Sequence, residues 1–427
     1  MFGWELPPFN SGGLGTASLG LTQGLASLGT DIRFVVPKLF GPLPYNHMDV
    51  VSAADISTPE EVEKFLKMTS TQQELATRTL AYGNVLSTSL TKTVGIDERR
   101  QLILDGEQTL SPNLQANWYA HQAMQIASTG EYDVIHTHDW FTYYSGMAAR
   151  KVARSRGMNA PFIAQVHATE IDRCGSNGDP AILEIEQKGL AAADHVIAVS
   201  HYTKEVVHKN YNVPRSKISV VYNGVPTQKE PKHFDLHELK KRHKIVLFMG
   251  RITYQKGPDY FVKLAKAVTD VDPSVRFVMV GTGDMEKRCI EESARLGLTG
   301  KMLFSTFLRG ADVDHAYQLA DLFVMPSVSE PFGIVALEAI QNGTPALVSK
   351  QSGVAEVSEH LIKTDFWDLN GMRNAVLTVL HNQDHAEKLK KGAMNDLSHL
   401  SWTHAAKSLH NVYASLMPAE MAVPIFN

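Results

Sequence analysis

Two glutamates flank the predicted start of a helix in the stretch SVSEPFGIVALEAIQNGTPALVS, Ser327 to Ser349. Glu330 lies in a Ser-, Pro- and Gly-rich segment typical of a loop, and Glu338 lies in an apolar run typical of a helix. The N–H groups of Gly333 to Val335 at this helix start would attract phosphate. The arrangement suits a ligand with hydroxyls at both ends of a diphosphate. Alternatively, one acid only favours the helix dipole and the other is solvated.

Two cations follow a predicted strand in the stretch FMGRITYQKGPDYF. Arg251 and Lys256 belong to the loop at the carboxyl end of that strand, where open α/β sheets bind their ligands. An arginine fork and a lysine point charge can together neutralise a diphosphate. Charges that serve solubility alone more often lie on a helix face, so the sequence favours a ligand site here.

Histidines end two predicted strands of the N-terminal half. The segment HTHDWF contains His136, His138 and Asp139, and VHATE contains His167. Because residues 136 and 138 share a strand face, a metal site that includes His167 is conceivable. Strand-end histidines more often hydrogen-bond a ligand or the backbone, so we predict no metal site.

A glycine cluster precedes a periodic apolar run near the N-terminus, in NSGGLGTASLGLTQGLASLG. Gly12, Gly13 and Gly15 would form a turn that opens a helix and exposes N–H groups to a phosphate. A flexible turn with a helix cap is the alternative, and a glycine cluster alone does not decide between them.

Short aliphatic runs alternate with amphipathic ones along the chain, which is the pattern of βα units around parallel sheets. The first series of predicted strands is DIRFVVP (31–37), DVIHTH (133–138), FIAQVH (162–167), HVIAVS (195–200) and ISVVYNG (218–224). The second is KIVLFMG (244–250), VRFVMVGTG (275–283), KMLFS (301–305), DLFVMPS (321–327) and PALVS (345–349). A charged, proline-containing segment near 226–240 predicts a linker, and residues 55–125 predict helical insertions. We therefore predict an α/β protein whose two parallel-sheet domains bind a ligand in the cleft between them.

Composition restricts the class of protein. The chain has 427 residues, 44% of them hydrophobic, with 41 Lys and Arg against 45 Asp and Glu. This balance gives no electrostatic reason to expect a nucleic acid or an anionic membrane as partner. Cys174 and Cys289 lie far apart in the sequence and give no disulfide framework, which favours a reducing compartment. No apolar run has the length of a membrane span. We predict a soluble, cytoplasmic protein without integral membrane contact.

Together these motifs resemble the retaining GT-B glycosyltransferases of family 4, the glycosyl transferases of group 1, and especially their glycogen or starch synthase-like members. The resemblance rests on segments that occur in the family's order: FGWELPPFNSGGLGTASLGLTQGLA, DVIHTHDW, VHATE, HVIAVSHYTKEVV, VVYNGV, GRITYQKG, VGTGDM, FLRG, SEPFGIVALEA and SGVAEV. It implies two Rossmann-like domains that face a cleft. Residues 1–228 would be the acceptor-side domain, 229–400 the nucleotide-sugar domain, and 401–427 a C-terminal helix that crosses back to the first domain.

The resemblance also implies roles for individual residues. Glu330 would contact hydroxyls of the donor sugar, Arg251 and Lys256 would hold the donor diphosphate, and His138 would lie beside the transferred sugar. Glu338 would bind the nucleotide ribose. The other implied donor-binding residues are Gly12, Gly13, Gly281, Phe307, Leu308, Phe332, Gly333, Ile334 and Val335.

The predicted activity is retaining transfer of a glucosyl unit from ADP-glucose or UDP-glucose to a glucan acceptor, without a metal or other cofactor. A small glycoside or lipid acceptor with another nucleotide sugar is the alternative. A nucleotide-sugar epimerase and a non-catalytic sugar-nucleotide-binding protein are further alternatives, although the intact cation and glutamate pairs argue against lost turnover. A nicotinamide dehydrogenase would need a G-x-G-x-x-G after its first strand with an acid some twenty residues on, and the chain has none.

The N-terminus departs from the pattern of the related starch synthases. Those of the neighbouring family have Lys-x-Gly-Gly, whereas this chain has Asn10-Ser11-Gly12-Gly13. The phosphate contact of that lysine is therefore missing. The chain also opens on MFGW, within what the resemblance makes the first strand.

Overall fold

The computed structural model describes residues 1–8, 12–56, 112–225 and 243–417, with only the backbone of Leu114. The predicted linker near 226–240, most of the predicted insertions at 55–125, and Asn10 with Ser11 lie outside the described residues. The described helices of the first half are α1 (Gly13–Ser27), α2 (Pro112–Ser128), α3 (Trp140–Ser155), α4 (Glu170–Cys174), α5 (Pro180–Ala192) and α6 (His201–Tyr211). Those of the second half are α7 (Pro258–Thr269), α8 (Glu286–Arg295), α9 (Ala311–Leu319), α10 (Ile334–Gln341), α11 (Leu369–His381), α12 (Gln383–Leu397) and α13 (Trp402–Leu416).

The strands fall into two groups. The first domain contains β1 (Arg33–Val36), β2 (Asp49–Ser52), β3 (Ile135–His138), β4 (Phe162–Val166), β5 (His195–Ala198) and β6 (Ile218–Val220). The second domain contains β7 (Ile245–Met249), β8 (Arg276–Val280), β9 (Met302–Ser305), β10 (Leu322–Met325), β11 (Ala346–Ser349) and β12 (Ile362–Thr364). Every predicted run forms a strand, and the structure adds the short strands β2 and β12.

The N-terminal residues join the two parts of the first sheet. Strands β1 and β2 pair in parallel, and β3-β4-β5-β6 form a parallel ladder. Phe2 bridges Val35 of β1 and Thr137 of β3 in parallel. Its N–H donates to the carbonyl of His136 at 2.8 Å, and the Gly3 N–H donates to that of Val35 at 3.0 Å. The strand order therefore reverses between the N-terminal segment and β3, and such a switch point opens a crevice at the carboxyl ends of the strands.

The second sheet is wholly parallel in the order β12-β11-β10-β7-β8-β9. Its order reverses between β7 and β10, as in a doubly wound dinucleotide-binding fold. Strands β10 and β11 are buried along their whole length, as expected when helices cover both faces of a parallel sheet. The loops that follow β7 and β10 must therefore emerge side by side.

The last described helix, α13, returns to the first domain. Its buried residues Trp402, Ala405, Ala406, Leu409 and Tyr413 follow a spacing of three and four, which gives the helix one apolar face. That face packs on α1 in a core cluster with Leu21 and Leu25. Gly20 of α1 allows the close approach, since a Cβ there would lie 2.2 Å from the Trp402 ring. The predicted α/β fold of two parallel-sheet domains with a helix crossing back is thus confirmed. None of the helices described here combines the length and the apolar character that crossing a bilayer requires.

Candidate functional site

Each domain brings predicted site residues to the switch point of its sheet. In the second domain, the loop after β7 carries Arg251 and Lys256, and the loop after β10 carries Glu330. The two loops are joined by the Val328 N–H, which donates to the carbonyl of Gln255 at 2.9 Å. In the first domain, His138 ends β3 beside the N-terminal segment.

Lys256 and Glu330 form an ion pair. The Lys256 Nζ lies 2.5 Å from Oε2 of Glu330, and the two side chains are 18% and 7% exposed. The Ser327 hydroxyl donates to the same carboxylate oxygen at 3.2 Å. The Glu330 backbone is fixed as well, because its N–H donates to the carbonyl of Gln351 and its carbonyl accepts from the Gly353 N–H, both at 2.9 Å. The pair is therefore preorganised, and a ligand phosphate would compete with Glu330 for the ammonium.

Arg251 differs from Lys256 in having no hydrogen-bond or ion-pair partner within the described residues. Its side chain is exposed, near the start of the loop that follows β7. Its charge reaches the first domain, since Arg251 lowers the pKa of Glu5, although burial of Glu5 has the larger, opposite effect. An unpaired guanidinium in this place can bind an anion without breaking a protein contact.

Helix α10 begins directly after the Glu330 loop and lacks a side-chain cap. Its N-cap residue, Gly333, has φ 107° and ψ 54°, a conformation that a residue with a Cβ adopts only with strain. The N–H groups of Gly333, Ile334 and Val335 have no partner within the described residues, as is usual for a first helical turn. Free N–H groups at a helix start suit an anion, and this start directly follows the loop whose Glu330 pairs with Lys256.

Glu338 lies further along α10, half-buried, and its Oε2 accepts from the Tyr317 hydroxyl at 3.1 Å. Burial raises the pKa of the Glu338 carboxyl, the Tyr317 hydroxyl lowers it, and Asp314 adds to the rise. The carboxylate thus links α10 to α9 through Tyr317. It does not contact Glu330 or Lys256.

His138 is fully buried in a cluster of three histidines. Its Nδ1 lies 3.0 Å from Nε2 of His167, and its ring stacks on that of His136 at 4.6 Å between centroids. Both ring nitrogens of His136 are engaged, by the Tyr413 hydroxyl at 2.6 Å and by Gln165 Oε1 at 2.8 Å. Burial lowers the pKa of His138 well below its usual value, so the ring is neutral near pH 7. The Nε2 of His138 has no hydrogen-bond partner in the described part of the chain.

These contacts bear on the metal alternative considered from the sequence. The three histidines do meet, but Nδ1 of His138 bonds to Nε2 of His167, and both ring nitrogens of His136 bond to Tyr413 and Gln165. Across the ranges that the structure describes, no group of three or more His, Cys, Asp or Glu side chains is arranged to hold a metal ion.

Asp139, the residue after His138, has a strained backbone with φ 62° and ψ 173°. Such a conformation costs an L-residue about 1–3 kcal/mol and persists only where its surroundings impose it. Here the carboxylate accepts from the N–H groups of His167 at 2.7 Å and Ala168 at 3.2 Å, and Arg173 lies 3.4 Å away. These contacts fix the end of β3, and with it the position of His138.

Glu5 is a residue that the sequence analysis missed. Its Oε2 accepts from the Gly15 N–H at 3.2 Å, and a Cβ on Gly12 would lie 2.5 Å from the same oxygen. Burial raises the pKa of Glu5, and Asp139 adds to the rise. The carboxylate therefore occupies the mouth of the glycine turn at the start of α1. The sequence does place a lone acid before a glycine cluster. That pattern predicts a contact between them only if the N-terminal segment lies between β1 and β3, as the structure shows.

The remaining predicted donor-binding residues are distributed around the cleft edge and the core. Gly12 and Gly13 are exposed at the start of α1. Phe307 is 56% exposed and Leu308 is partly buried in the loop after β9. The Gly281 N–H donates to the carbonyl of Ser305 at 3.0 Å. The Phe332 ring is buried and packs 6.1 Å from that of Tyr222, so its side chain belongs to the core.

Comparison with known proteins connects this geometry with a family. The model of the family "Glycosyl transferases group 1" matches residues 229–396, and that of "Glycosyltransferase Family 4" matches residues 95–229. An uncharacterized glycosyltransferase of Methanocaldococcus jannaschii is 33% identical over 313 residues, covering 68% of this chain and 77% of that protein. A glycogen synthase of Mycobacterium tuberculosis is 23% identical over 428 residues, covering 98% and 95%.

A solved structure agrees on the fold. HepE of Anabaena in complex with UDP and glucose superposes with a TM-score of 0.66 over 97% of this chain and 98% of that one, at 17% identity. The two parallel-sheet domains therefore have a known fold. The chain belongs to glycosyltransferase family 4, the glycosyl transferases of group 1, and is a glycosyltransferase of the GT-B fold.

Proposed function

We propose that the protein transfers a glucosyl unit from UDP-glucose or ADP-glucose to a glucan, with retention of the anomeric configuration. The observation that carries the proposal is the grouping of the unpaired Arg251, the Lys256–Glu330 pair and the free N–H groups of Gly333 to Val335 at one switch point. This set offers cations and amides to a diphosphate and a carboxylate to the hydroxyls of its sugar. The glycogen synthase likeness over nearly the whole chain and the UDP and glucose of HepE support the choice of substrates.

The proposed reaction breaks the bond between the sugar C1 and the diphosphate oxygen and forms a bond from C1 to an acceptor hydroxyl oxygen. The acceptor proton passes to the leaving phosphate, which retains its bonding electrons. Arg251, Lys256 and the α10 amides would stabilise the developing charge on the diphosphate, in fixed positions that need little reorganisation. Glu330, released from Lys256, would bind sugar hydroxyls.

His138 would have an orienting role in this reaction. A buried, neutral imidazole can hydrogen-bond a sugar hydroxyl, but its strongly lowered pKa makes it a poor proton acceptor near pH 7. Because the cations and amides can offset the leaving-group charge, the proposal requires no metal ion. We place the enzyme in the cytoplasm, in line with its two free cysteines.

The test is release of nucleoside diphosphate from UDP-, ADP- and GDP-sugars, with and without glycogen, in the presence of a chelator. Glycogen-dependent release from UDP-glucose or ADP-glucose, with α-linked product by NMR, is expected. Release from another donor alone would replace the glucose nucleotide by that donor. Release that depends on a small glycoside or lipid would replace the glucan by that acceptor. No release from any nucleotide sugar would contradict the proposed function.

A further inference from the structure

The first turn of α6 in the first domain contacts the Glu330 loop of the second domain through buried hydroxyls. Ser200, the N-cap of α6, donates to the carbonyl of Pro331 at 2.6 Å, and Thr203 donates to the same oxygen at 3.1 Å. Ser200, Thr203 and Pro331 are all buried. Both lone pairs of one carbonyl, one residue from Glu330, are therefore satisfied by the other domain. Loss of these donors would leave a buried acceptor unpaired.

The residue on the other side of Glu330 is held in the same way. The Tyr202 hydroxyl lies 2.9 Å from the Ser329 hydroxyl, which donates to Oδ1 of Asp172 at 2.6 Å. Since the Ser329 proton is used on Asp172, Tyr202 must be the donor in the first contact. Glu330 thus has a first-domain contact at each neighbour, while its own side chain binds Lys256.

A carboxylate of the second domain completes the contact from the opposite direction. Glu356 accepts from the N–H groups of His201 at 2.9 Å and Tyr202 at 2.7 Å, the free donors at the start of α6. The Tyr222 hydroxyl also donates to it, at 3.1 Å. An anion at a helix N-terminus interacts favourably with the helix dipole. The second domain thus supplies a carboxylate to the start of α6, and the first domain supplies hydroxyls to the Pro331 carbonyl.

The contact continues through hydrogen bonds to the end of β3. Oδ2 of Asp172 accepts from the Thr169 N–H at 2.8 Å. The preceding N–H groups, of Ala168 and His167, bond to the carboxylate of Asp139. Asp139 directly follows His138. A chain of fixed groups therefore runs from Ser329, beside Glu330, to His138 on the facing domain.

We propose that Ser200, Tyr202, Thr203 and Glu356, with Ser329 and Pro331 as their partners, form an interdomain clamp that positions the acceptor-side domain, including His138, against the sugar held by Glu330. These are positioning residues, because they act through Glu330 and His138 and do not contact the donor. The inference rests on the proposed function and adds residues to the same site. Binding of the nucleotide depends on Arg251 and the α10 amides of the second domain, so the clamp affects transfer and leaves nucleotide affinity unchanged.

The test uses the full chain with two hydroxyls removed by near-isosteric changes, Tyr202→Phe and Thr203→Val. Ser200 still caps α6 in this double variant, since it accepts from the Thr203 N–H at 2.9 Å. Loss of these two hydrogen bonds between the domains is expected to lower kcat at least tenfold. The Kd of UDP or ADP by calorimetry is expected to stay within about twofold, because the cation site is intact. Thr203→Ser, which keeps its hydroxyl, is the matched control and should retain wild-type kcat.

Amide hydrogen exchange tests the contact itself, independently of turnover. In the double variant the His201, Tyr202 and Gly353 amides should exchange faster together, whereas amides in α8, remote from the clamp, should not change. Unchanged kcat and unchanged exchange would overturn the clamp, and so would equal losses of kcat and nucleotide affinity. If the wild type instead showed no activity with any nucleotide sugar, the proposed function would be overturned, and with it the positioning role that depends on that function.

Discussion

At the scale of single residues, the Lys256–Glu330 pair joins the proposed diphosphate-binding cation to the proposed sugar-binding carboxylate. While the pair is closed, two opposite charges offset each other in a largely buried place, which is favourable only because the geometry is close and Ser327 adds a hydrogen bond. In the proposed reaction, a diphosphate that approaches Lys256 would free the carboxylate for sugar hydroxyls. The pair would thus couple recognition of the donor's diphosphate to recognition of its sugar.

Glu330→Gln tests this coupling. The amide keeps the shape of the side chain and can still bond to Ser327, but it lacks the charge that orients Lys256 and binds the sugar hydroxyls. We expect kcat/KM to fall by about 100-fold or more, the size of effect seen when one preorganised polar group is removed from an active site. Glu359→Gln, whose side chain is 93% exposed, is the control and should keep wild-type kinetics. Near-wild-type transfer by Glu330→Gln would show that the sugar binds elsewhere.

A second residue-scale prediction concerns pH. Three buried carboxyls, those of Asp139, Asp172 and Glu186, lie near the one guanidinium of Arg173, and burial raises the pKa of each. Burial raises the pKa of Glu186 to about 8, although hydrogen bonds from Tyr211 and the Glu170 N–H oppose the rise. The native state therefore holds a proton that the unfolded chain releases above about pH 4.5, and this stabilisation is present at low pH and lost as pH rises to about 8.

The measurement is the free energy of unfolding of wild type and Glu186→Gln in denaturant between pH 5 and pH 9. The stability of wild type relative to the variant should fall from pH 5 to about pH 8 and then level off. The neutral amide cannot ionise, so the variant serves as the reference for the wild type at each pH. A difference that is constant over this range would mean that Glu186 is ionised in the native protein.

At the scale of elements, the approach of α1 and α13 predicts a local packing effect. Gly20→Ala would place a Cβ about 2.2 Å from the ring of Trp402, so the helices must separate or the ring must turn. Overpacking of this kind costs about 1–3 kcal/mol, well beyond the gain in helix propensity. Gly13→Ala, where an added Cβ meets no atom within 4 Å, is the stability control. Denaturant unfolding of both variants measures the difference, and an unchanged stability of Gly20→Ala would contradict the packing described.

Elements also show how far the sequence reaches. Aliphatic runs predicted each long strand, because parallel strands buried on both faces are continuous apolar segments. They missed β2 and β12, most of whose residues are only partly buried. The cation loop and the glutamates were predicted, but not the contact between Lys256 and Glu330, since it depends on β7 and β10 being neighbours. Glu5 was missed because its position depends on the N-terminal segment lying between β1 and β3. The burial of the Phe332 ring is a tertiary property as well.

At the scale of the whole molecule, the two switch points face each other, and both cations predicted to bind the diphosphate, Arg251 and Lys256, come from the second domain. Nucleotide binding should therefore require the second domain, whereas transfer should require both. Arg251→Ala separates these requirements, because Arg251 has no partner among the described residues and its loss should leave the apo fold intact. Arg215→Ala, which breaks an exposed pair with Glu205 remote from the cleft loops, is the matched control.

The measurement is the shift in melting temperature with UDP or ADP, in the presence of a chelator. A ligand at 100 times its Kd stabilises the folded state by about 2.7 kcal/mol, so wild type and Arg215→Ala should show a clear upward shift. Arg251→Ala should show a smaller shift at the same concentration, with an unchanged melting temperature when no nucleotide is added. Equal shifts in all three proteins would mean that Arg251 does not meet the diphosphate, and the cation site would then reduce to Lys256 and the amides of α10.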